Sequence, residues 1–337
     1  MNRIILIGNG FDLAHGLETS YTHFIDWYGR KKSILTAENL GWDCSYEDDE
    51  IVFSNQPTLK EDFKKRFSHS RPGNIKYYDG ITYKNEFLGR IIGKLELQNW
   101  VDIENEYCKM VLEHSNAENR RKDIKKLNKE FEHIKQELKN YLQNDPRVNK
   151  EIAINKEIKD KIWTGVNTKE INDVLFLTFN YTRTTDLYRD GGKLIHIHGE
   201  LNNTANPMIF GFGYEKETFG KIKNLEDDYI ENMKQATYTE KNNYKEVRSF
   251  LIERDYEVFI MGHSCGSSDE MLLKELFEND NCKKIKIFYH EKEKGKDNFK
   301  DIRNNILKIF SDTEKSVGDF LHKLAHKDEC EPLPQNK

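Results

Sequence analysis

The sequence has few cysteines and no long hydrophobic run. It contains five cysteines in 337 residues, and no two of them form a C-x-x-C pair. This usage disfavours a disulfide framework and a cysteine zinc site, so we expect a protein of the reducing cytoplasm that binds no metal. The apolar runs fall well short of the roughly 20 residues that span a bilayer. The run Ile4–Ile7 is also too short for a signal peptide, so we expect no membrane partner.

An excess of positive charge is also missing. Lys and Arg together number 53 and Asp and Glu 58, which gives a formal net charge of -5. The lysines are interleaved with acidic residues, as on solvated helix faces, so a nucleic-acid partner is not expected. With 36% hydrophobic and 33% charged residues, the chain is typical of a globular protein with one large α/β domain or two smaller ones.

Short runs rich in β-branched and aromatic residues predict a mostly parallel sheet. Their apolar residues are continuous rather than alternating, as in strands that are buried on both faces of a sheet. Helical patterns lie between several of the runs, which indicates the α/β class. The predicted strands are Arg3–Ile7, Val174–Phe179, Lys193–Ile197, Met208–Phe210, Glu257–Met261 and Lys284–Tyr289.

The predicted strands are unevenly spaced along the chain. One lies at the N-terminus and the others follow residue 170. We therefore expect a single α/β domain over residues 1–328, with its sheet built from 1–30 and 170–295 and a large, mainly helical insertion at about 60–165. Residues 329–337 are predicted to be a flexible tail.

Two amphipathic helices are predicted in the insertion. In the first, apolar residues recur at helical spacing from Trp100 to Val111, and Glu104 lies on the same apolar face. A carboxylate there is either paired in the core or faces a pocket. In the second helix, apolar residues repeat in alternating steps of three and four, which predicts a seam that packs on a neighbouring helix, on a second copy or on a defence partner. The seam residues are Ile124, Leu127, Phe131, Ile134, Leu138 and Tyr141.

Small or polar residues follow four of the predicted strands, and ligands bind at the carboxyl ends of strands in open α/β sheets. The first group is Gly8, Asn9, Gly10, Phe11 and Asp12. Its two glycines allow a phosphate to approach the backbone at the start of a helix. The dinucleotide fingerprint G-x-G-x-x-G is incomplete, because Leu13 stands at its third glycine. A tight turn is the alternative explanation for this group.

The second and third groups supply an amide and two imidazoles. The amide of Asn180 can orient a sugar hydroxyl or a water, or it can stabilise its own turn. His196 and His198 point to the same side of a strand. They could form a metal pair, but no third ligand lies nearby in the sequence. Alternatively, His198 transfers a proton and Gly199 lets a substrate approach the backbone.

The fourth group follows the strand that ends at Met261. It contains Gly262, His263, Ser264 and Asp269. Ser264 and the loop amides could hold a phosphate or a ribose. The same stretch superficially matches the nucleophile elbow G-x-S-x-G, so a serine hydrolase that uses Ser264 with His198 is an alternative. Ordinary helix capping explains part of the stretch but not the glycine and histidine that open it.

The order of the four groups resembles two known families. GNGFD near the start, TFNYT after the insertion, IHIHGEL next and GHSCGSSDE late are similar to the AbiH family of phage abortive-infection proteins, and this resemblance spans most of the chain. The same order is similar to a diverged sirtuin-like domain, over four short blocks. The first resemblance implies antiphage defence that responds to a phage-derived trigger. The second implies a Rossmann-like sheet that binds NAD.

The sirtuin resemblance also implies roles for individual residues. Asn180 matches the catalytic Asn of that family and His198 its catalytic His. By the same analogy, Gly8 and Gly10 lie at the nucleotide phosphates, and the loop that begins at Gly262 holds the adenosine side.

Several departures from the sirtuin pattern bear on the activity. Asp12 stands where the sirtuin loop has Ser, and Thr182 stands where an Asp follows the Asn by two. The arginine-bearing segment and the four-cysteine zinc ribbon are missing, which disfavours a protein deacylase. The resemblance then implies hydrolysis of NAD, or of a related nucleotide, at the N-glycosidic bond.

The chemistry of that bond gives the candidate residues distinct roles. Cleavage passes through an oxocarbenium-like state with nicotinamide as the leaving group. Asn180 would align the ribose or the water, and His198 would accept a proton. Asp12 or Glu104 would stabilise positive charge on the sugar, and the sequence does not choose between them. A nucleotide-sensing module without catalysis is the alternative function, and the altered residues Asp12 and Thr182 motivate it.

Overall fold

The protein's structure, a computed structural model, describes residues 1–28, 31, 46–47, 49–53, 81–93, 100–115, 120–166, 170–213, 227–293, 295–310 and 314–336. Its strands are β1 Asn2–Ile7, β2 Tyr46–Glu47, β3 Ile51–Phe53, β4 Ile81–Tyr83, β5 Val174–Thr178, β6 Lys193–His196, β7 Tyr256–Met261, β8 Cys282–Tyr289, β9 Glu291–Glu293, β10 Lys296–Asp297 and β11 Glu331–Pro332.

Helices connect most of these strands. They are α1 Asn9–Ala14, α2 Glu86–Gly93, α3 Trp100–Ser115, α4 Arg120–Asn144, α5 Lys156–Trp163, α6 Asp227–Ile230, α7 Lys234–Tyr238, α8 Asn243–Glu253, α9 Glu270–Glu278, α10 Phe299–Ile309 and α11 Glu314–Lys323. Residues 21–28 are also helical. Three short 3-10 helices cover Thr184–Tyr188, Ser267–Asp269 and Lys327–Glu329.

The chain divides into two units. The first unit consists of Met1–Glu18, Pro146–Tyr214 and Met233–Lys337. The second consists of Thr19–Asp145 and Glu215–Asn232. The insertion therefore begins just after α1, earlier than the expected residue 60, and a second short piece returns to it after residue 214.

A six-stranded sheet forms the centre of the first unit. Its strand order is β11-β8-β7-β1-β5-β6, and every pair is parallel. The chain places β5 and β6 on one side of β1 and then β7, β8 and β11 on the other, which is the order of the doubly wound Rossmann fold. The predicted α/β class and parallel sheet are confirmed. The order reverses between β1 and β7, which is the switch point where such folds bind ligands.

Strand β1 is apolar throughout because both faces of the sheet are covered. Ile4 and Leu6 lie in one apolar cluster of the first unit, and Ile5 and Ile7 lie in a second one. All four side chains are fully buried. Successive side chains of a strand point to opposite faces, so the two clusters lie on opposite faces of the sheet.

Two segments of the first unit differ from their prediction. Met208–Phe210 is buried but is not a strand of the sheet. The backbone amide of Ile209 instead donates to the carbonyl of His198 (2.7 Å). The segment is therefore hydrogen-bonded to a loop rather than to a neighbouring strand of the sheet. The C-terminal segment, expected to be a flexible tail, contains β11, which pairs with β8. Burial of Leu333 holds it there.

The second unit contains a three-stranded antiparallel sheet, β2-β3-β4, and the helices α2, α3, α4 and α6. The two amphipathic helices predicted in the insertion are present as α3 and α4. All six seam residues of α4 are 0–2% exposed, because α4 packs on α2 and α3. The rings of Tyr107 and Phe131 are central to this packing, with centroids 3.9 Å apart. Packing within the chain therefore accounts for the seam.

Candidate functional site

The first unit brings several of the candidate residues to the carboxyl ends of its central strands. Asp12 lies in the helix that follows β1, and Asn180 lies two residues after β5. His198 lies two residues after β6, and Asp269 ends the 3-10 helix between β7 and α9. The exposed fractions of these four side chains are between 2% and 7%. A buried acid, amide, imidazole and second acid are thus gathered at one edge of the sheet.

The glycines of the first and fourth groups pack against each other at the switch point. A Cβ atom at Gly8 would lie 2.7 Å from the Cα of His263, and one at Gly10 would lie 2.8 Å from the Cα of Gly262. Gly262 itself has a φ of +79°, a value that side chains rarely adopt. Close approach of the two loops therefore accounts for these glycines.

The backbone amides of the first group are largely engaged by the protein itself. The amide of Gly10 donates to the carbonyl of Gly262 (2.9 Å), and the amide of Phe11 donates to the carbonyl of Gly8 (2.8 Å). The amide of Gly8 donates more weakly to Met261, at 3.4 Å. Contact between a nucleotide phosphate and Gly8, Gly10 or Phe11 stays a prediction, and it competes with these bonds.

Asn180 connects the ends of three strands. Its Nδ2 donates to the carbonyl of Gly8 (3.0 Å), and its backbone amide donates to the hydroxyl of Thr178 (3.1 Å). Nδ1 of His196 donates to the carbonyl of Asn180 (3.2 Å). Asn180 therefore lies at a fixed position beside β1 and β6, and the His196 ring supports it.

Asp12 has one occupied and one vacant carboxylate oxygen. The hydroxyl of Thr182 donates to Oδ2 at 2.6 Å, and Thr184 donates in turn to Thr182 (3.4 Å). Oδ1 is buried and has no hydrogen-bond partner among the described residues. Burial raises the pKa of Asp12 from 3.8 to about 6, although the polar side chains of Thr182, Thr184 and Asn180 nearby oppose the shift. A vacant acceptor on an acid of this kind is typical of a functional site.

His198 belongs to a buried ionic cluster, which we define as His198, Lys234, His263 and Asp269. Oδ1 of Asp269 lies 2.9 Å from Nζ of Lys234 and 3.1 Å from Nε2 of His198. Its Oδ2 faces Nε2 of His263 at 3.6 Å. The exposed fraction of Lys234 is only 1%. Burial alone would raise the pKa of Asp269, but the Lys234 ammonium and the His198 ring hold it well below its usual range.

The cluster keeps His198 neutral at physiological pH. Burial and the positive charge of Lys234 lower the pKa of His198 to about 4, against the opposing effect of Asp269. The Tyr238 hydroxyl also lies 3.0 Å from Nε2. Since the Asp269 carboxylate accepts a hydrogen bond from Nε2, Nδ1 is the nitrogen that can accept a proton.

Packing and hydrogen bonds within the loops account for Gly199 and His263 in the third and fourth groups. Gly199 has a φ of +78°, and a Cβ atom there would overlap the Pro207 carbonyl, so loop packing accounts for this glycine. His263 is buried, and its Nδ1 accepts a hydrogen bond from the amide of Cys265 (3.0 Å). Ser264 is exposed, and no hydrogen bond within the described part of the chain joins it to His198. The serine-hydrolase alternative is therefore left without the contact it needs.

Lys234 was not predicted from the sequence to belong to the site. The two acids predicted to support the reaction, Asp12 and Glu104, lie in different units. Nothing in the sequence distinguishes Lys234, because it is one of 53 basic residues and lies outside the four strand-end groups. Only the fold shows that its ammonium is buried against Asp269. Glu104 is buried in α3 of the second unit, so it is not among the side chains that the first unit gathers.

No group of three or more His, Cys, Asp or Glu side chains in the described part of the chain is arranged to hold a metal ion. None of the helices described is both long enough and apolar enough to cross a membrane.

Comparison with known protein families gives a match that covers most of the chain. The model of the family described as bacteriophage abortive infection AbiH matches residues 4–291. The matched range begins in β1 and contains Asp12, Asn180, His198 and Asp269. A comparison with curated proteins gives no match.

Proposed function

The chain belongs to the AbiH family of bacteriophage abortive-infection proteins, and from this premise we propose that it is a cytoplasmic antiphage effector that hydrolyses NAD or a related nucleotide at the N-glycosidic bond. The family gives the antiphage role. The observation that carries the reaction is a pair of buried ionisable groups, Asp12 and His198, that follow β1 and β6, with Asn180 after the strand between them. Asp12 has a vacant carboxylate oxygen, and His198 is a neutral base.

The three residues divide the chemistry of glycosidic cleavage. The ribose acquires positive charge as the nicotinamide departs, and the ionised Asp12 stabilises that charge. Asn180, held by Gly8, aligns the ribose or the attacking water. His198 accepts the proton of the water or of a ribose hydroxyl at Nδ1. Glu104 stays a second candidate for the supporting acid.

In this proposal the ribose, rather than a phosphate, lies near Asp12. An ionised carboxylate repels a phosphate but accepts hydrogen bonds from sugar hydroxyls. The amides of Gly10 and Phe11 already donate to protein carbonyls. The proposal therefore has the ribose at Asp12. Contact of the pyrophosphate with Gly8, Asn9 and the Gly262–Ser264 loop requires those loops to adjust.

We keep nucleotide sensing without catalysis as the second candidate function. Thr182 stands where the sirtuin pattern has an acid, and here its hydroxyl is used to bind Asp12. A sensor would bind a nucleotide tightly and report it, for example through the second unit. It would then protect cells even when Asn180 and His198 are each replaced by Ala.

The experiment that tests catalysis measures NAD and ADP-ribose in phage-infected cells. Infection supplies the phage-derived trigger that a purified enzyme lacks. Cells that carry the wild-type chain are expected to lose NAD, whereas cells with His198→Ala keep it, because loss of a general base typically costs about 10²–10⁴-fold in rate. The exposed His322 provides the matched control, and His322→Ala is expected to behave as wild type.

Two results would contradict the proposal. A steady NAD level in protected wild-type cells would show that protection does not depend on NAD hydrolysis. The levels of other nucleotides would then be measured. Protection that persists in both Asn180→Ala and His198→Ala cells would favour the sensor.

A further inference from the structure

Lys234 is a buried cation whose ammonium binds the carboxylate that contacts the proposed base. It opens the short helix α7, and its Nζ donates to Oδ1 of Asp269 (2.9 Å) and to the hydroxyl of Ser268 (3.2 Å). Burial of a lone ammonium costs several kcal/mol, so a lysine is rarely buried without a role for its charge. Packing alone would be served as well by Met or Leu.

The carboxylate that binds Lys234 also fixes the ring of His198. Oδ1 of Asp269 is shared by Nζ of Lys234 and Nε2 of His198. The carboxylate accepts hydrogen bonds only, so Nε2 carries the proton. On the other side of Asp269, His263 is held in the matching orientation because its Nδ1 accepts from Cys265. Nε2 of His198 therefore donates to one oxygen of the carboxylate, and Nε2 of His263 lies 3.6 Å from the other.

The charges of the cluster balance only when Lys234 is present. The charges of the ammonium and the carboxylate cancel, and the His198 imidazole stays neutral. Without the ammonium, the basic side chains that the described residues place within 4 Å of the buried carboxylate are His198 and His263. The nearest group able to supply a compensating positive charge is then an imidazole, which would take up a proton.

We propose that Lys234 is a positioning residue for the proposed hydrolysis: through Asp269 it keeps His198 neutral, with the proton on Nε2 and Nδ1 free to act as the base. This inference rests on the proposed function, because that function is what requires a base at His198. The arrangement of protons that it specifies can be measured without substrate.

The test is an NMR titration of the histidine rings in the full-length chain. In Lys234→Met, the midpoint of the His198 titration is expected to rise by at least about one pH unit from the wild-type value near 4. Lys234→Arg keeps the charge and is expected to restore the low midpoint. Lys245 is exposed on α8, so Lys245→Met removes the same charge without an expected change. An unchanged midpoint in Lys234→Met would overturn the proposal.

The wild-type chain gives a second test in case Lys234→Met does not fold. The ¹⁵N shifts of His198 at pH 7 are expected to report a neutral ring with Nε2 protonated. A charged ring, or a proton on Nδ1, would overturn the proposal. Neither measurement involves NAD. If NAD stays steady in infected cells while His198 titrates as expected, then the proposed reaction is wrong and the role of Lys234 in the cluster still holds.

Discussion

Asp12→Asn is expected to stabilise the protein at pH 8 while it abolishes protection against phage. Folding buries the Asp12 carboxyl and raises its pKa from 3.8 to about 6. Above pH 6 the folded protein therefore holds an ionised carboxylate at a cost of about 3 kcal/mol, at about 1.4 kcal/mol for each pKa unit. An Asn side chain has the same shape, carries no charge and still accepts the Thr182 hydrogen bond, so that cost is removed.

The gain in stability has a defined pH window. A group whose pKa is raised by folding favours the folded state when it is protonated, and it loses that contribution as the pH rises through the folded value. The advantage of Asp12→Asn is therefore full above about pH 6, shrinks between pH 6 and 3.8, and vanishes below 3.8. Urea unfolding of both proteins across this range measures it.

The control for Asp12→Asn is the same change at a solvated aspartate of the first unit. The side chain of Asp186 is 35% exposed, so Asp186→Asn is expected to change the unfolding free energy by less than about 0.5 kcal/mol. A loss of stability at pH 8 in Asp12→Asn would show that the carboxylate is a structural anchor. Improved stability with full protection would remove Asp12 from the proposed mechanism.

Gly262→Ala is expected to destabilise the first unit by about 2–5 kcal/mol. The φ of +79° at this position costs an L-residue about 1–2 kcal/mol. The added methyl would also overlap the amide nitrogen of Phe11 and the carbonyl carbon of Gly10. Forcing a methyl group into a packed site typically costs a further 1–3 kcal/mol, roughly. The loops that follow β1 and β7 would have to separate.

Gly295 isolates the steric part of this effect. It has a similar φ of +83°, but nothing lies within 4 Å of the position of its added Cβ. Gly295→Ala is therefore expected to cost only the backbone term, about 1–2 kcal/mol. Thermal and urea unfolding of the two variants give the difference. Equal losses at the two positions would mean that the two loops can separate at no cost in free energy. The close packing at the switch point would then contribute nothing to stability.

The central strands were predictable because both of their faces are buried. β1 and β7 read as continuous apolar runs, and small or polar residues mark the points where they end. Met208–Phe210 has the same composition and burial but no neighbouring strand, so composition alone could not separate a buried loop from a strand. The short strand β11 escaped prediction because two residues, one of them a proline, carry no periodic signal.

The candidate site was predictable only in part. Asn180 and His198 stand out because they follow predicted strands, and open α/β sheets bind ligands at the carboxyl ends of their strands. The glycines were read as space for a ligand, whereas the structure uses that space for contact between two loops. Lys234 could not be found from the sequence. Its role depends on a carboxylate 35 residues away, and only the fold brings the two together.

The position of β1 in the sheet determines when the proposed activity can first appear during synthesis of the chain. The partners of β1 are β5 and β7, and Asp269 lies further along the chain still. During translation, at about 5–20 residues per second, the ribosome needs tens of seconds to deliver these partners. Until then, the two halves of the proposed site belong to an unfinished chain. The proposed site is therefore incomplete until the chain has been made past Asp269. Until β5 and β7 pair with it, the apolar strand β1 has two open edges that can aggregate.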